Sequence, residues 1–211
     1  MPTRDLRQQL FGQVRRVVVK MGTQLLTGSD RRLDLAFFRT LAQQVALLRS
    51  RGIQVTLVSS GAIGAGCAEL GLSKRPADIT GQQALASVGQ RRLMTHWHEA
   101  FEPHQLKVAQ LLLTREDFDD RTRFLNIRNC IPRLHELGCV PVLNENDTVS
   151  VDELRFGDND LLAALTTHAL RADLLVLLTV VDGLLDEAGH KVELVHDVHA
   201  VAGMARAERS A

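Results

Sequence analysis

Cys139-Val140-Pro141-Val142-Leu143-Asn144-Glu145-Asn146-Asp147 begins as a short valine-rich run and ends in amides and carboxylates. Such a run reads as a buried strand, and its polar tail falls where an open α/β sheet places its ligands, at the carboxyl ends of the strands. Thr148 and Val149 follow, then Gly157-Asp158-Asn159-Asp160. Glu145, Asp147, Asp158 and Asp160 fall within sixteen residues. Four carboxylates so close repel one another unless a lysine or a metal ion sits among them. A solvated acidic loop capping a helix is the plainer alternative, and this stretch alone leaves both open.

Working outward, the same alternation recurs along the chain. Arg16 to Lys20 reads as a first strand ended by Met21-Gly22-Thr23, and Leu33 to Leu48 repeats apolar residues at three and four, as an amphipathic helix closed by Gly52. A second strand, Ile53 to Val58, runs into Ser59-Ser60-Gly61-Ala62-Ile63-Gly64-Ala65-Gly66. A long helix from Gly81 to Phe101 precedes a third strand, Leu106 to Leu113, ended by Thr114. Residues 121 to 137 are helical, the fourth strand is the opening stretch, Leu161 to Leu170 is helical, and Leu174 to Leu178 is a fifth strand ended by Thr179. Strand and helix alternating in this way predict an α/β fold, a mostly parallel open sheet with helices on both faces. In a parallel sheet the five polar strand ends share one edge, which brings Lys20, Gly61, Asn144, Asp147 and Thr179 to one crevice. Residues 1 to 14 read as a polar N-terminal arm or short lead-in helix.

Composition narrows the function classes. Lysine plus arginine equals aspartate plus glutamate at 25 each, so no global field favours nucleic acid or an anionic membrane, and anion handling must come from local geometry. With no tyrosine, one tryptophan and 4% aromatics, the core must be mainly aliphatic. Cys67, Cys130 and Cys139 have no C-x-x-C spacing and are odd in number, which argues against a disulfide framework or zinc site and fits a reducing cytoplasm. The N-terminus has no apolar signal core, and no apolar run approaches the ~20 residues of a membrane helix.

The clusters suit anions. Lys20, at the end of a valine strand beside Gly22, is either a cation aimed into the crevice or a strand end reaching solvent. The Ser59 to Gly66 run lets backbone N–H groups approach a ligand before a helix, or serves close helix-on-strand packing. Because it matches neither G-x-x-x-x-G-K-[ST] nor G-x-G-x-x-G, a P-loop NTPase and a dinucleotide-binding dehydrogenase are demoted. The Arg115 to Arg123 charge run reads as a solvated loop, Asp158-Asn159-Asp160 as an N-cap that is also able to hold Mg²⁺, and the eight histidines form no site.

Taken together, Val-Val-Val-Lys-Met-Gly-Thr at 17 to 23, Ser-Ser-Gly-Ala-Ile-Gly-Ala-Gly at 59 to 66, Leu-Leu-Thr-Arg-Glu-Asp-Phe-Asp-Asp-Arg-Thr-Arg-Phe-Leu-Asn at 112 to 126, Pro-Val-Leu-Asn-Glu-Asn-Asp at 141 to 147 and Gly-Asp-Asn-Asp at 157 to 160 resemble the glutamate 5-kinases of the amino acid kinase family. The resemblance implies transfer of phosphate from ATP, with Mg²⁺, to the side-chain carboxylate of L-glutamate, the first step of proline biosynthesis. It implies catalytic roles for Lys20 and Asp160, substrate contacts at Ser60, Gly61, Asn144, Asp147, Asp158 and Asn159, and nucleotide contacts at Lys20, Gly22, Thr23, Thr179 and Val180, with no metal ligand set of the protein's own. It further implies a cytoplasmic homo-oligomer, a dimer or tetramer, with one kinase domain from residue 15 to 211 that binds neither membrane nor nucleic acid.

The chain departs from the family at Val180, where an aspartate usually follows the fifth-strand threonine. It also ends at Ala211, ahead of the family's glycine-rich G-T-G-G-M segment and second catalytic lysine, so the C-terminal part of the nucleotide-binding lobe is expected to be missing. Two further readings stay open: a catalytically silent glutamate-binding or regulatory protein, and another acyl-phosphate-forming or nucleotide kinase of the same fold.

Overall fold

The computed structural model describes residues 8–27, 33–150 and 159–201. Five parallel strands form one open sheet in the order β3-β4-β2-β1-β5. In chain order they are β1 (Arg16–Met21), α1 (Thr23–Leu26), α2 (Leu35–Ser50), β2 (Gln54–Val58), α3 (Ala62–Glu69), α4 (Ile79–Phe101), β3 (Lys107–Leu113), α5 (Glu116–Asp119), α6 (Arg121–Glu136), β4 (Cys139–Glu145), α7 (Asp160–Leu170) and β5 (Leu174–Leu178). Contacts divide the chain into two compact units, Met1–Leu178, which holds the sheet, and Thr179–Ala211.

Strand periodicity sorts the core into two layers. Val17, Val19 and Met21 of β1 join Phe38, Val45, Leu93 and Trp97 on the face covered by α2, α3 and α4, while Val18 joins Ile131, Leu143 and Leu162 under α6 and α7. The chain steps from β1 to β2 to β3 over the first face and returns to β4 and β5 over the second, as right-handed crossovers require when the direction of travel reverses. Aspartates start three of the helices. Asp34 accepts from the N–H groups of Ala36 and Phe37, Asp78 from Gly81, and Asp120 from Arg123, at 2.7 to 3.1 Å.

Two segments differ from the sequence reading. Within the Arg115 to Arg123 run, Glu116–Asp119 forms a helical turn ahead of α6 in place of the expected solvated loop: Asp117 takes the Thr114 N–H at 2.7 Å and pairs with Arg123 at 3.1 Å, while Asp120 caps α6. The small residues after β2 pack helix on helix, not helix on strand. A Cβ at Gly66 would lie 2.0 Å from the carbonyl oxygen of Leu85, and one at Gly89 would lie 1.8 Å from that of Ala62. Backbone therefore meets backbone where α3 crosses α4. Among the described residues no helix is long and apolar enough to cross a membrane.

At the middle of β2, the imidazole of His135 meets the Thr56 hydroxyl at 3.0 Å. Burial, and secondarily the Arg49 guanidinium, lower its pKa from 6.5 to about 4. Arg49 itself donates to the Cys139 carbonyl at 2.5 Å. His135 is thus neutral in the folded protein throughout the physiological range.

Gly89→Ala should destabilise the fold by about 2 kcal/mol or more in urea unfolding, because overpacking at a backbone contact outweighs the ~1 kcal/mol helix-propensity gain of alanine. The unfolded chain protonates His135 before the folded chain does. The stabilising contribution is therefore complete above pH 6.5 and is lost as pH falls towards about 4. The difference in unfolding free energy between the parent and His135→Leu should accordingly shift by about 2 kcal/mol across that window, and a flat difference would show that the ring is solvated.

Candidate functional site

The cleft at the carboxyl ends of the strands is built from three turns. After β2, the Ser59 N–H donates to the Leu143 carbonyl at 2.8 Å, and Gly61 turns with φ +98°, a backbone that disfavours any side chain. Gly61 is the N-cap of α3, and Ala62, Ile63 and Gly64, the first residues of that helix, line the cleft, where a helix start favours anions. After β4, the N–H groups of Val149 and Ser150 both donate to Asn146 at 3.1 Å, making a tight turn that carries half-buried Asp147. α4 supports that turn: Gln83 donates to the Ser150 carbonyl at 3.3 Å, and the hydroxyls of Ser87 and Thr148 lie 3.1 Å apart.

The third turn precedes α7. Asn159 occupies its N-cap position with φ +71° but makes no capping bond with its side chain. Instead its Nδ2 donates to the Ser59 carbonyl at 2.9 Å, to Ser60 Oγ at 3.1 Å and to Asn144 Oδ1 at 2.8 Å. The capping role expected from Asp158-Asn159-Asp160 is thus replaced, at Asn159, by a tie between the ends of β2 and β4. Asp158 and Gly157 lie outside the described residues.

Lys20 continues the Val18 face of β1, which brings it under the start of α7. Its Nζ is 2.7 Å from Asp160 Oδ1, and the lysine is 4% exposed. The strand-end lysine is therefore buried and ion-paired. The Lys20–Asp160 contact supplies a cation for one of the four clustered carboxylates. Glu145 is 5% exposed and accepts the Ser150 hydroxyl at 2.5 Å. Among the described residues no three His, Cys, Asp or Glu side chains converge as a metal site.

Thr23, Ser60, Gly61, Ala62, Ile63, Gly64, Arg75, Asn144, Glu145, Asp147 and Asn159 line one cleft of about 250 Å³. Five of the residues expected to contact substrate, Ser60, Gly61, Asn144, Asp147 and Asn159, are thereby brought together. Lys20 and Asp160 adjoin them through Asn159 without lining the cleft. Gly22, whose N–H donates to Leu178 at 3.3 Å, precedes Thr23, the first residue of α1. Thr114 is buried and its amide is held by Asp117. Thr179 and Val180 belong to the second unit, where the Val181 N–H donates to Thr179 Oγ1 at 3.5 Å and Val180 is exposed.

Two supporting residues carry no motif. Gln90, buried in α4, accepts from Asn144 Nδ2 at 2.8 Å, and Trp97 donates to Ser59 Oγ at 3.2 Å. A polar residue on the buried face of an amphipathic helix was the available signal for Gln90. Its Oε1 fixes which way the Asn144 amide points, and hence which atom Asn159 meets. Gln90→Leu should destabilise the chain by about 1 to 3 kcal/mol in urea unfolding, the cost of leaving a buried amide N–H unpaired. An unchanged midpoint would mean that water replaces the lost acceptor.

The amino acid kinase family model matches residues 15–206. A glutamate 5-kinase of Pelobacter propionicus is 49% identical over 178 residues, covering 84% of this chain and 48% of that protein. One of Geobacter sp. (strain M21) is 48% identical over 199 residues, covering 93% and 53%, and one of Thermus thermophilus is 49% identical over 198 residues, covering 90% and 53%. The chain spans about half the length of the curated relatives it matches. A parallel five-stranded sheet with polar strand ends gathered at one edge, together with a family match over nearly the whole sequence, establishes that the chain belongs to the amino acid kinase family.

Proposed function

We propose that the protein phosphorylates the side-chain carboxylate of L-glutamate with ATP, forming glutamyl 5-phosphate for proline biosynthesis. The observation that carries this reading is the ion pair at 2.7 Å between buried Lys20 and half-exposed Asp160, adjoining through Asn159 a cleft that holds Asp147 and a helix start. A glutamate carboxyl with an ordinary pKa near ~4.3 is already ionised at neutral pH, so its oxygen attacks the γ-phosphorus without a general base, the bond to the β-phosphate oxygen breaks, and ADP leaves. The demand on the protein is to hold two anions in line and stabilise the charge passing between them.

In this reading Lys20 grips the transferring phosphoryl group and Asp160 orients Lys20. Ser60, Gly61, Asn144 and Asn159 hold the substrate, with Asp158 beside them in sequence, and Asp147 receives the substrate ammonium. Gly22 and Thr23 face the nucleotide phosphates; for Thr179 and Val180 the support is the sequence resemblance. Magnesium, when bound, neutralises the phosphate oxygens. The residues suit an ion delivered on ATP, since Mg²⁺ in such sites takes phosphates, water and one or two carboxylates, of which Asp160 is the candidate here.

The three free thiols support a reducing, cytoplasmic setting, and the balanced charge supports small-molecule rather than nucleic-acid partners. β3 is an edge strand with Leu112 exposed, which supports a homo-oligomer, dimer or tetramer. The family match over residues 15–206 supports one kinase domain from residue 15 onward, preceded by an arm.

Glutamate-dependent ADP release, with the acyl phosphate trapped as its hydroxamate, tests the reaction. Binding without turnover would identify a catalytically silent glutamate-binding protein instead. Asp147→Ala should weaken glutamate binding in calorimetric titration by about 1.5 to 3 kcal/mol, the value of a charge-assisted hydrogen bond, without lowering the unfolding midpoint. Unchanged affinity would remove Asp147 from the substrate contacts.

A further inference from the structure

Among the described residues, the side chains lining the cleft include two carboxylates, Glu145 and Asp147, and one cation, Arg75, on the segment between α3 and α4. An α-amino acid whose side-chain carboxylate reacts presents three charges. The reacting carboxylate must face the phosphoryl donor at Lys20, and the ammonium is matched by Asp147. The α-carboxylate shares its carbon with the ammonium, so it falls in the same cleft as Asp147 and away from Lys20, where a cationic side chain with two N–H donors is the group best matched to it. We infer that Arg75 holds the α-carboxylate of the substrate and makes a free α-carboxyl group a requirement of the site; this rests on the glutamate reading above.

The surface alternative is an arginine that merely reaches solvent, but Arg75 is anchored. Its Nη2 donates to Gln82 Oε1 at 2.6 Å, and Gln82, in the first turn of α4, donates from Nε2 to the Pro76 carbonyl at 3.0 Å. One corner of the guanidinium is thus fixed to a helix start by a neutral amide, not by a carboxylate. The positive charge stays uncompensated by that contact, and the planar fork keeps the geometry that matches a carboxylate with two N–H donors. Asp78 stabilises the same turn by accepting the Gly81 N–H at 2.7 Å.

Calorimetric titration of the full chain with L-glutamate and with its α-amide, which keeps the side-chain carboxylate and the ammonium, isolates the contact. The parent should prefer glutamate by about 10- to 100-fold, and Arg75→Leu should lose most of that preference by weakening glutamate while moving the α-amide less than about threefold. Arg75→Lys should recover part of it, since the charge remains but the fork does not. Equal weakening of both ligands would show that Arg75 only supports its loop, and an unchanged preference would place the α-carboxylate elsewhere; either overturns the inference. A parent that binds glutamate and fails to phosphorylate it defeats the kinase reading alone, leaving Arg75 to be judged on the binding ratio. A parent that binds neither ligand defeats both. Because Arg75 is exposed, the melting curve of Arg75→Leu should match the parent's and confirm that a folded protein is being titrated.

Discussion

One side-chain amide fixes the geometry on which the site depends. Asn159 Nδ2 reaches the ends of two strands at once, touching Ser59 and Ser60 after β2 and Asn144 in β4. It can do so only because the backbone at Asn159 is left-handed, with φ +71°, a conformation costing a side chain about 1 to 2 kcal/mol and one that asparagine tolerates better than most. The same turn starts α7 at Asp160, under which Lys20 emerges from β1. A single backbone choice therefore sets both the amide tie and the ion pair. Neither would exist if the strands were not parallel, because antiparallel neighbours would send their ends to opposite edges.

The arrangement concentrates polar groups where the core would otherwise continue. Lys20, Ser59, Ser60, Asn144, Glu145 and Asn159 are all buried at the strand ends. Each would cost several kcal/mol if left without a partner, and the network supplies partners to nearly every one of them. Two atoms of the same network, Asn159 Oδ1 and Gln90 Nε2, have none among the described residues. A layer chosen for stability alone would have been apolar. The departure from that rule falls at the site, where folds commonly give up stability for function.

Much of this was legible in the sequence for simple reasons. The short valine run Val17-Val18-Val19 marks a strand, and a parallel sheet obliges the residues after each strand to share an edge, so the sequence alone gathers Ser60, Gly61, Asn144 and Asp147. Residues acting through a partner left no such mark. Gln90 matters because of where Asn144 happens to point, Trp97 because Ser59 lies within 3.2 Å, and Gly66 and Gly89 because two helices cross at backbone contact. Arg75 sits among Lys74, Pro76 and Ala77 in a segment without periodicity, and only the fold shows which cleft that segment borders. Charge runs misled for the opposite reason. At 115 to 123, aspartates that look solvated are spent on backbone N–H groups as caps.

The ion pair itself is better understood as positioning than as stabilisation. Taking an ammonium and a carboxylate out of water costs several kcal/mol per ion, and well-packed apolar residues in their place would often serve the fold as well or better. Lys20 is nevertheless buried, with Val58 and Leu177 flanking it in register on β2 and β5, while the Asp160 side chain remains half exposed. That asymmetry keeps the cation at a fixed point while its partner stays accessible to whatever approaches the strand ends. A lysine at the surface would reach an incoming phosphate only by losing the freedom of four side-chain torsions on binding. One held between two strands has already lost it on folding, so in the proposed reaction the attraction to a developing phosphate charge would not be spent on ordering the side chain.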